Sequence, residues 1–247
     1  ELADAVHEDP YFADSEIKQF KKLLDKLEKE PLTIPEVSKT VTVSNVDELL
    51  LALAPDTEII LKDGTYDLST AKDYGTSWND VHYWSEEFDG PALTIYGVDN
   101  LVIRSESGDR TKCTVSAVPR YADVLKFKSC TNVTVSGFTA GHTVEPGYCT
   151  GGVLYYEDCD NVLVSRCGLY GCGILGVYAE YSSGIHVKNS EIYECSLGGI
   201  EMRDTDNITI EGNTSGASGV VSITNIKITY KLDPYAIGEG DEAVLLS

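Results

Sequence analysis

Between Thr150 and Gly212 the apolar and polar positions of the chain repeat with a fixed period. Aligned on Asn161, Gly184 and Asn207, the sequence reads GVLYYEDCDNVLVS, then GVYAEYSSGIHVKN, then GIEMRDTDNITIEG, with 23 residues between successive reference positions. Each copy holds two short stretches in which Val, Ile, Leu or Tyr alternates with polar residues, the two-residue period of a strand, separated by Asp, Asn, Ser or Gly. No copy has a long stripe at helical spacing, so helical and leucine-rich repeats fit badly. A repeat of this kind buries its apolar positions only by stacking on its neighbours. A strand of about five residues, a tight corner, a second strand and a looser return account for the period. The pattern predicts one coil of a parallel β-helix per copy.

The reference position supports this independently. Asn100, Asn132, Asn161 and Asn207 each precede an apolar-x-apolar strand, beginning at Leu101, Val133, Val162 and Ile208, and the remaining copy has Gly184. Asn and Gly share a low cost of entering left-handed backbone conformations. A bend that needs positive φ in every coil explains the exchange.

Registering the coils on that corner sorts the preceding strand of each coil by face, because side chains alternate along a strand and stack between coils. Leu93 and Ile95, Leu125 and Phe127, Leu154 and Tyr156, Val177 and Ala179, and Ile200 and Met202 fall on the interior side. The solvent side carries two columns: Thr94, Lys126, Tyr155, Tyr178, Glu201, and Tyr96, Lys128, Glu157, Glu180, Arg203. A slip of one residue would put the leucines in water and bury both lysines, so the register is strongly specified.

Outside the repeats, Ile17, Phe20, Leu24 and Leu27 recur at helical spacing between Ser15 and Glu30, with Pro31 as a stop. Val41 to Val43 reads as a strand, and Ser44-x-x-Asp47 as a capping box ahead of Val46, Leu49, Leu50 and Leu53, a helix that would cover the open end of the solenoid. The chain thus divides into a tail, helix and linker over 1–40 and a β-helix domain over 41–247, with coils to about Tyr230. Two long interruptions stand out. Residues 72–90 carry Tyr74, Trp78, Tyr83, Trp84 and Phe88 among polar residues, and residues 139–150 carry His142, Glu145 and Tyr148. Long loops in compact domains are often functional, and the aromatic rings could either stack on sugars or fold back as core.

Residues 91–230, with the segment from Val41 to Leu68 and its Gly64-Thr65-Tyr66 element, resemble the right-handed parallel β-helix of the pectate-lyase-like superfamily. The resemblance implies an all-β right-handed solenoid of about six to seven coils, with a substrate groove on the outward side of the sheet just described. It does not choose an activity, since the superfamily holds lyases, hydrolases, epimerases, tailspikes and non-catalytic surface proteins.

Charge and cysteine content narrow the partners. With 19 basic and 40 acidic residues the net charge is -21, which argues against nucleic acid and anionic membrane surfaces. No apolar run is long enough for a transmembrane helix. Such acidity suits an exported, secreted or cell-surface protein, and it offers carboxylates for Ca²⁺; a signal peptide is expected to have been removed, and a monomer is expected. The seven cysteines include Cys130 and Cys159 in the same register, two residues before the corner Asn, while Cys149, Cys172 and Cys195 fall near the starts of coils. Ladders of like residues are expected from repeating register, and buried Cys behaves as a small hydrophobe, so most of the thiols are expected to be free.

Three chemistries remain open on the outward face. A uronate lyase would use Lys126 or Lys128 as base, Arg203 for the substrate carboxylate, and Glu157 with Glu180 for Ca²⁺. A glycoside hydrolase would pair two carboxylates from Glu157, Glu180 and Glu201. A non-catalytic protein would bind a polysaccharide or cell-surface glycan through the same residues. In each case Tyr155, Tyr178, Glu201, Trp78, Trp84 and His142 are candidate sugar contacts. Cross-coil salt bridges on a merely solvated face are the plain alternative.

Overall fold

A computed structural model describes residues 36–76, 79–143, 150–215 and 221–224. The expected helix over Ser15–Glu30 lies outside the described residues, as do Trp78, Glu145, Tyr148, Cys149 and the side chain of Cys172. Three strand-built faces wind around one apolar core. The first is a seven-stranded parallel sheet in the order β1 (Lys39–Val43), β2 (Thr57–Leu61), β6 (Asp99–Ser105), β9 (Thr131–Ser136), β12 (Asp160–Ser165), β14 (Ser183–Lys188), β16 (Thr209–Glu211). The second face stacks β3 (Gly64–Asp67), β7 (Cys113–Ala117) and β10 (Thr139–His142). The third stacks β5 (Gly90–Tyr96), β8 (Leu125–Lys128) and β11 (Leu154–Glu157).

Two long strands, β13 (Gly168–Glu180) and β15 (Glu191–Arg203), join the second and third faces. The first residues of β13 pair with β10 and its last four with β11, and its register against β15 shifts between Tyr170 and Leu175, where the strand bends from one face to the other. β17 (Thr214–Ser215) and β18 (Val221–Thr224) continue the second and third faces. Each coil therefore passes the third, first and second faces in turn, the layout of a parallel β-helix.

The predicted bend is present at every registered position. Asn100, Asn132, Asn161 and Asn207 have φ of 56°, 53°, 55° and 53°, and Gly184 has 66°. The asparagines add a ladder between coils: Asn132 Nδ2 donates to Asn100 Oδ1 at 2.9 Å, and Asn161 Nδ2 to Asn132 Oδ1 at 2.7 Å. Two further left-handed columns have no such side-chain signature. One runs Gly97, Ser129, Asp158, Tyr181, Asp204 and the other Gly137, Arg166, Asn189, Gly212.

Inside, the residues assigned to the core are buried, and Phe127 stacks on Tyr156 with centroids 5.1 Å apart. One interior column runs Cys130, Cys159, Ser182, Thr205. Each side chain lies within donor reach of two backbone carbonyls, the nearer one two residues back in its own coil and the other in the previous coil, on Ile95, Phe127, Tyr156 and Ala179 respectively. Small size plus one weak donor is what the position requires, so Cys, Ser and Thr alternate there. Cys113, Cys130, Cys159 and Cys167 are free and buried, and Cys195 is buried as well.

The helix α1 (Val46–Ala52) buries Val46, Leu49, Leu50 and Ala52. Its cap differs from the expected box by one residue. Asn45 accepts the Glu48 amide at 2.9 Å, while Glu48 reaches back to the amide of Ser44 at 2.8 Å. Asp47 turns away to pair with Lys72 Nζ at 3.1 Å. Among the described residues no helix is long and apolar enough to cross a membrane.

Candidate functional site

The outward side of the third face is built by strand register. Lys126 lies opposite Thr94 and Tyr155, Tyr155 opposite Tyr178, and Tyr178 opposite Glu201. Beside it Tyr96, Lys128, Glu157, Glu180 and Arg203 form the second column. Eight candidates, from Lys126 to Arg203, thus share one surface. Thr94, expected in solvent, is 1% exposed.

Each carboxylate on this surface is already engaged. Glu157 sits between two ammonium groups, its Oε2 2.6 Å from Lys126 and its Oε1 2.5 Å from Lys128. Partial burial raises its carboxyl, but the hydrogen bonds and charges of the two lysines outweigh that and hold it below the usual range. The hydrogen bond that Lys128 donates to Glu157 likewise pushes the lysine up. Glu180 accepts from the hydroxyl of Tyr155 and, at 2.7 Å, from that of Tyr178, with Arg203 Nη1 3.8 Å away. Burial, then the bond to Glu180, raises both phenols, so they stay protonated donors. Arg203 Nη2 also donates to Glu201 at 3.2 Å.

The two tyrosine rings stack with centroids 4.8 Å apart. Lys126 Nζ lies 4.3 Å from the Tyr155 centroid and Arg203 Cζ 5.6 Å from that of Tyr178. In the order of the coils this makes a cation–ring–ring–cation pile, so the outer ring faces are turned to charges and the hydroxyl edges to Glu180.

Two expectations need correction. Trp84 is no surface platform: in β4 (His82–Glu87), antiparallel to β5, it lies opposite Leu93, packs against the core and meets Tyr74 edge-on at 4.9 Å. Alternation sends Trp84 inward and Tyr83 outward, where Tyr83 joins Tyr96 at 6.4 Å beside the lysines. His142 is buried, with each ring nitrogen against a backbone carbonyl. Glu157 and Glu180, the pair expected to hold Ca²⁺, have their oxygens engaged by two lysines and two tyrosines, and among the described residues there is no group of three or more His, Cys, Asp or Glu that could hold a metal.

Tyr83 was the site residue least visible in the sequence. Only the antiparallel pairing of β4 puts it on the face, and one of several aromatics in an irregular stretch gives no sign of that pairing.

The chain belongs to the right-handed β-helix family: the model for a right handed beta helix region matches residues 87–230. Among solved structures, the chain is similar to an alginate lyase from Paenibacillus sp. str. FPU-7, with a TM-score of 0.52 and 16% identity over 77% of this chain and 61% of that one. The chain thus spans less than two thirds of that structure, and the likeness is one of fold. A protein of Parabacteroides merdae ATCC 43184 assigned as a glycosyl hydrolase aligns with a TM-score of 0.29 and 10% identity, over 63% of this chain and 80% of that one. No curated protein matches the sequence.

Proposed function

We propose that the outward side of the third face is a glycan-recognition surface, and that the chain is an exported carbohydrate-active protein that binds a polysaccharide there. The observation that carries this reading is Glu157 between Lys126 and Lys128. Three cations, three carboxylates and three phenols lie in two adjacent columns, rich in donors and acceptors that a sugar's hydroxyl groups can exchange with. The shifts of Lys128 and Glu157 suit holding a ligand better than proton transfer: a lyase base must be neutral, and Lys128 is pushed the other way. A hydrolase acid needs a raised carboxyl, and that of Glu157 is lowered. Uronate lysis is the alternative, favoured by the cationic side chains that could meet an acidic sugar.

The test is a polysaccharide panel, neutral and uronate-containing, read by calorimetry together with reducing ends and unsaturated-uronate absorbance, with and without EDTA. Binding without new ends is expected. Lys128→Ala and Arg203→Ala should each weaken binding at least about tenfold, roughly 1.4 kcal/mol, with little change in Tm. Variants that lose Tm yet keep full binding would make the network structural, and EDTA-sensitive product formation would replace recognition by catalysis.

A further inference from the structure

At the end of β10 the side chain of His142 is 1% exposed. Its Nδ1 lies 2.9 Å from the carbonyl oxygen of Gly171, and its Nε2 lies 2.8 Å from that of Ala122. Carbonyl oxygens only accept. A neutral imidazole has one N–H and one lone pair, so it satisfies one of these oxygens and turns a lone pair on the other, whereas an imidazolium donates to both. A buried charge needs compensation, and Asp123, next to Ala122, acts on His142 through its charge.

These contacts tie together passes of the chain that lead directly into the third face. Ala122 and Asp123 precede β8. Asp123 Oδ1 accepts the amide of Gly152, just before β11, at 2.7 Å. Gly171 is at the bend of β13, the strand that carries Tyr178 and Glu180. The backbones close in tightly: a Cβ on Gly151 would stand 2.0 Å from the Ala122 oxygen, and one on Gly171 would stand 3.2 Å from the His142 amide nitrogen. The Gly151 backbone therefore leaves no room for a water on its side of the Ala122 oxygen.

We propose that His142 is held as an imidazolium, and that this buried cation is a pH-sensitive clamp on the starts of the strands that carry Lys126, Lys128, Tyr155 and Glu157. With the proton in place both carbonyls are satisfied. When rising pH removes it, one carbonyl oxygen faces a lone pair, and the junction between segments 120–124, 150–153 and Gly171 loosens. The titratable groups at the junction, among the described residues, include Arg120, Tyr121 and Asp123 of the segment before β8, Asp89, whose carboxylate accepts the amides of Arg120 and Tyr121, Lys126 and Glu87, which act on Asp123 from the third face, and Tyr170, which lies against Gly141. Burial raises the Asp123 carboxyl, opposed by the Gly152 bond and then by the charges of Lys126 and His142. Asp123 and the clamp therefore support each other only while the ring is charged.

The experiment is nitrogen-15 NMR of the histidines in the full chain between about pH 6 and pH 9, bracketing ordinary imidazole titration. Both ring nitrogens of His142, assigned with His142→Gln, should carry protons above the pH at which His82 and His186 are neutral, since burial lowers those two. A bare nitrogen on His142 throughout the folded range would overturn the proposal. The Tm advantage of the wild type over His142→Gln should shrink as pH rises, and a constant advantage would also overturn it. Should that variant not fold, Asp123→Asn replaces it: the His142 proton should then leave at lower pH, and an unmoved titration refutes the pairing. Exchange of the Gly152 amide should accelerate with pH beyond its intrinsic base dependence.

Discussion

The asparagine corner offers a decisive perturbation, because the two smallest replacements should rank in an unusual order. Asn161 holds φ at 55° and donates from Nδ2 to Asn132 Oδ1 at 2.7 Å. Either truncation removes that bond, worth about 0.5–1.5 kcal/mol. Alanine must also carry its Cβ into the left-handed region, at about 1–2 kcal/mol, giving a total near 2–3 kcal/mol. Glycine adopts the conformation freely and adds only about 0.4–1 kcal/mol through the greater freedom of the unfolded chain, for a total near 1–2 kcal/mol. Asn161→Gly should therefore be more stable than Asn161→Ala by roughly 1 kcal/mol, the reverse of the usual strand preference of about 0.5–1 kcal/mol for alanine. Urea unfolding of both variants at unchanged m reads the difference. Because a solenoid need not unfold in one step, exchange protection of the Val162 and Val164 amides supplies a local reading. Alanine equal to or better than glycine by both measures would refute the account of the corner.

Three other outcomes follow from named contacts. Cys113 and Cys167 should resist alkylation in the native chain and react once it is unfolded without reductant, because burial pushes Cys113 to about 12 and Cys167 to about 11; intact mass counts the free thiols, and three disulfides would contradict the ladder. The lowered carboxyl of Glu157 stabilises the fold above the ordinary glutamate pKa, and that contribution is lost as pH falls below roughly 4.3 through the folded-state value. Glu157→Gln should remove this slope in pH-dependent Tm at a cost of at most about 1 kcal/mol, since the ion pairs are partly solvated. Trp84→Ala should lower stability by about 2–3 kcal/mol, less than a fully buried Trp, while the folded fraction keeps its glycan affinity; a loss of affinity without a loss of stability would restore Trp84 to the surface.

The coil, its corner and the two outward columns were legible in the sequence for one physical reason. Stacking repeats the same local demand in every coil, so Asn100, Asn132, Asn161, Gly184 and Asn207 report one backbone angle, and Leu125, Leu154 and Ile200 report one side of one sheet. Repetition turns a weak preference at a single site into a readable register. The other two corners were hidden because their left-handed positions accept Ser129, Asp158, Tyr181, Arg166 and Asn189 alike, the neighbouring coils imposing the conformation whatever the side chain. Features that occur once had no column to announce them. Only the tertiary structure decided that β4 returns antiparallel to β5 with Trp84 inward and Tyr83 outward, and that His142 is enclosed by Ala122 and Gly171. Sequence placed Lys126, Lys128 and Glu157 on one face, but their chemistry depends on separations below 3 Å between side chains from different coils. Those distances fix which groups keep their protons, and no spacing along the chain encodes them.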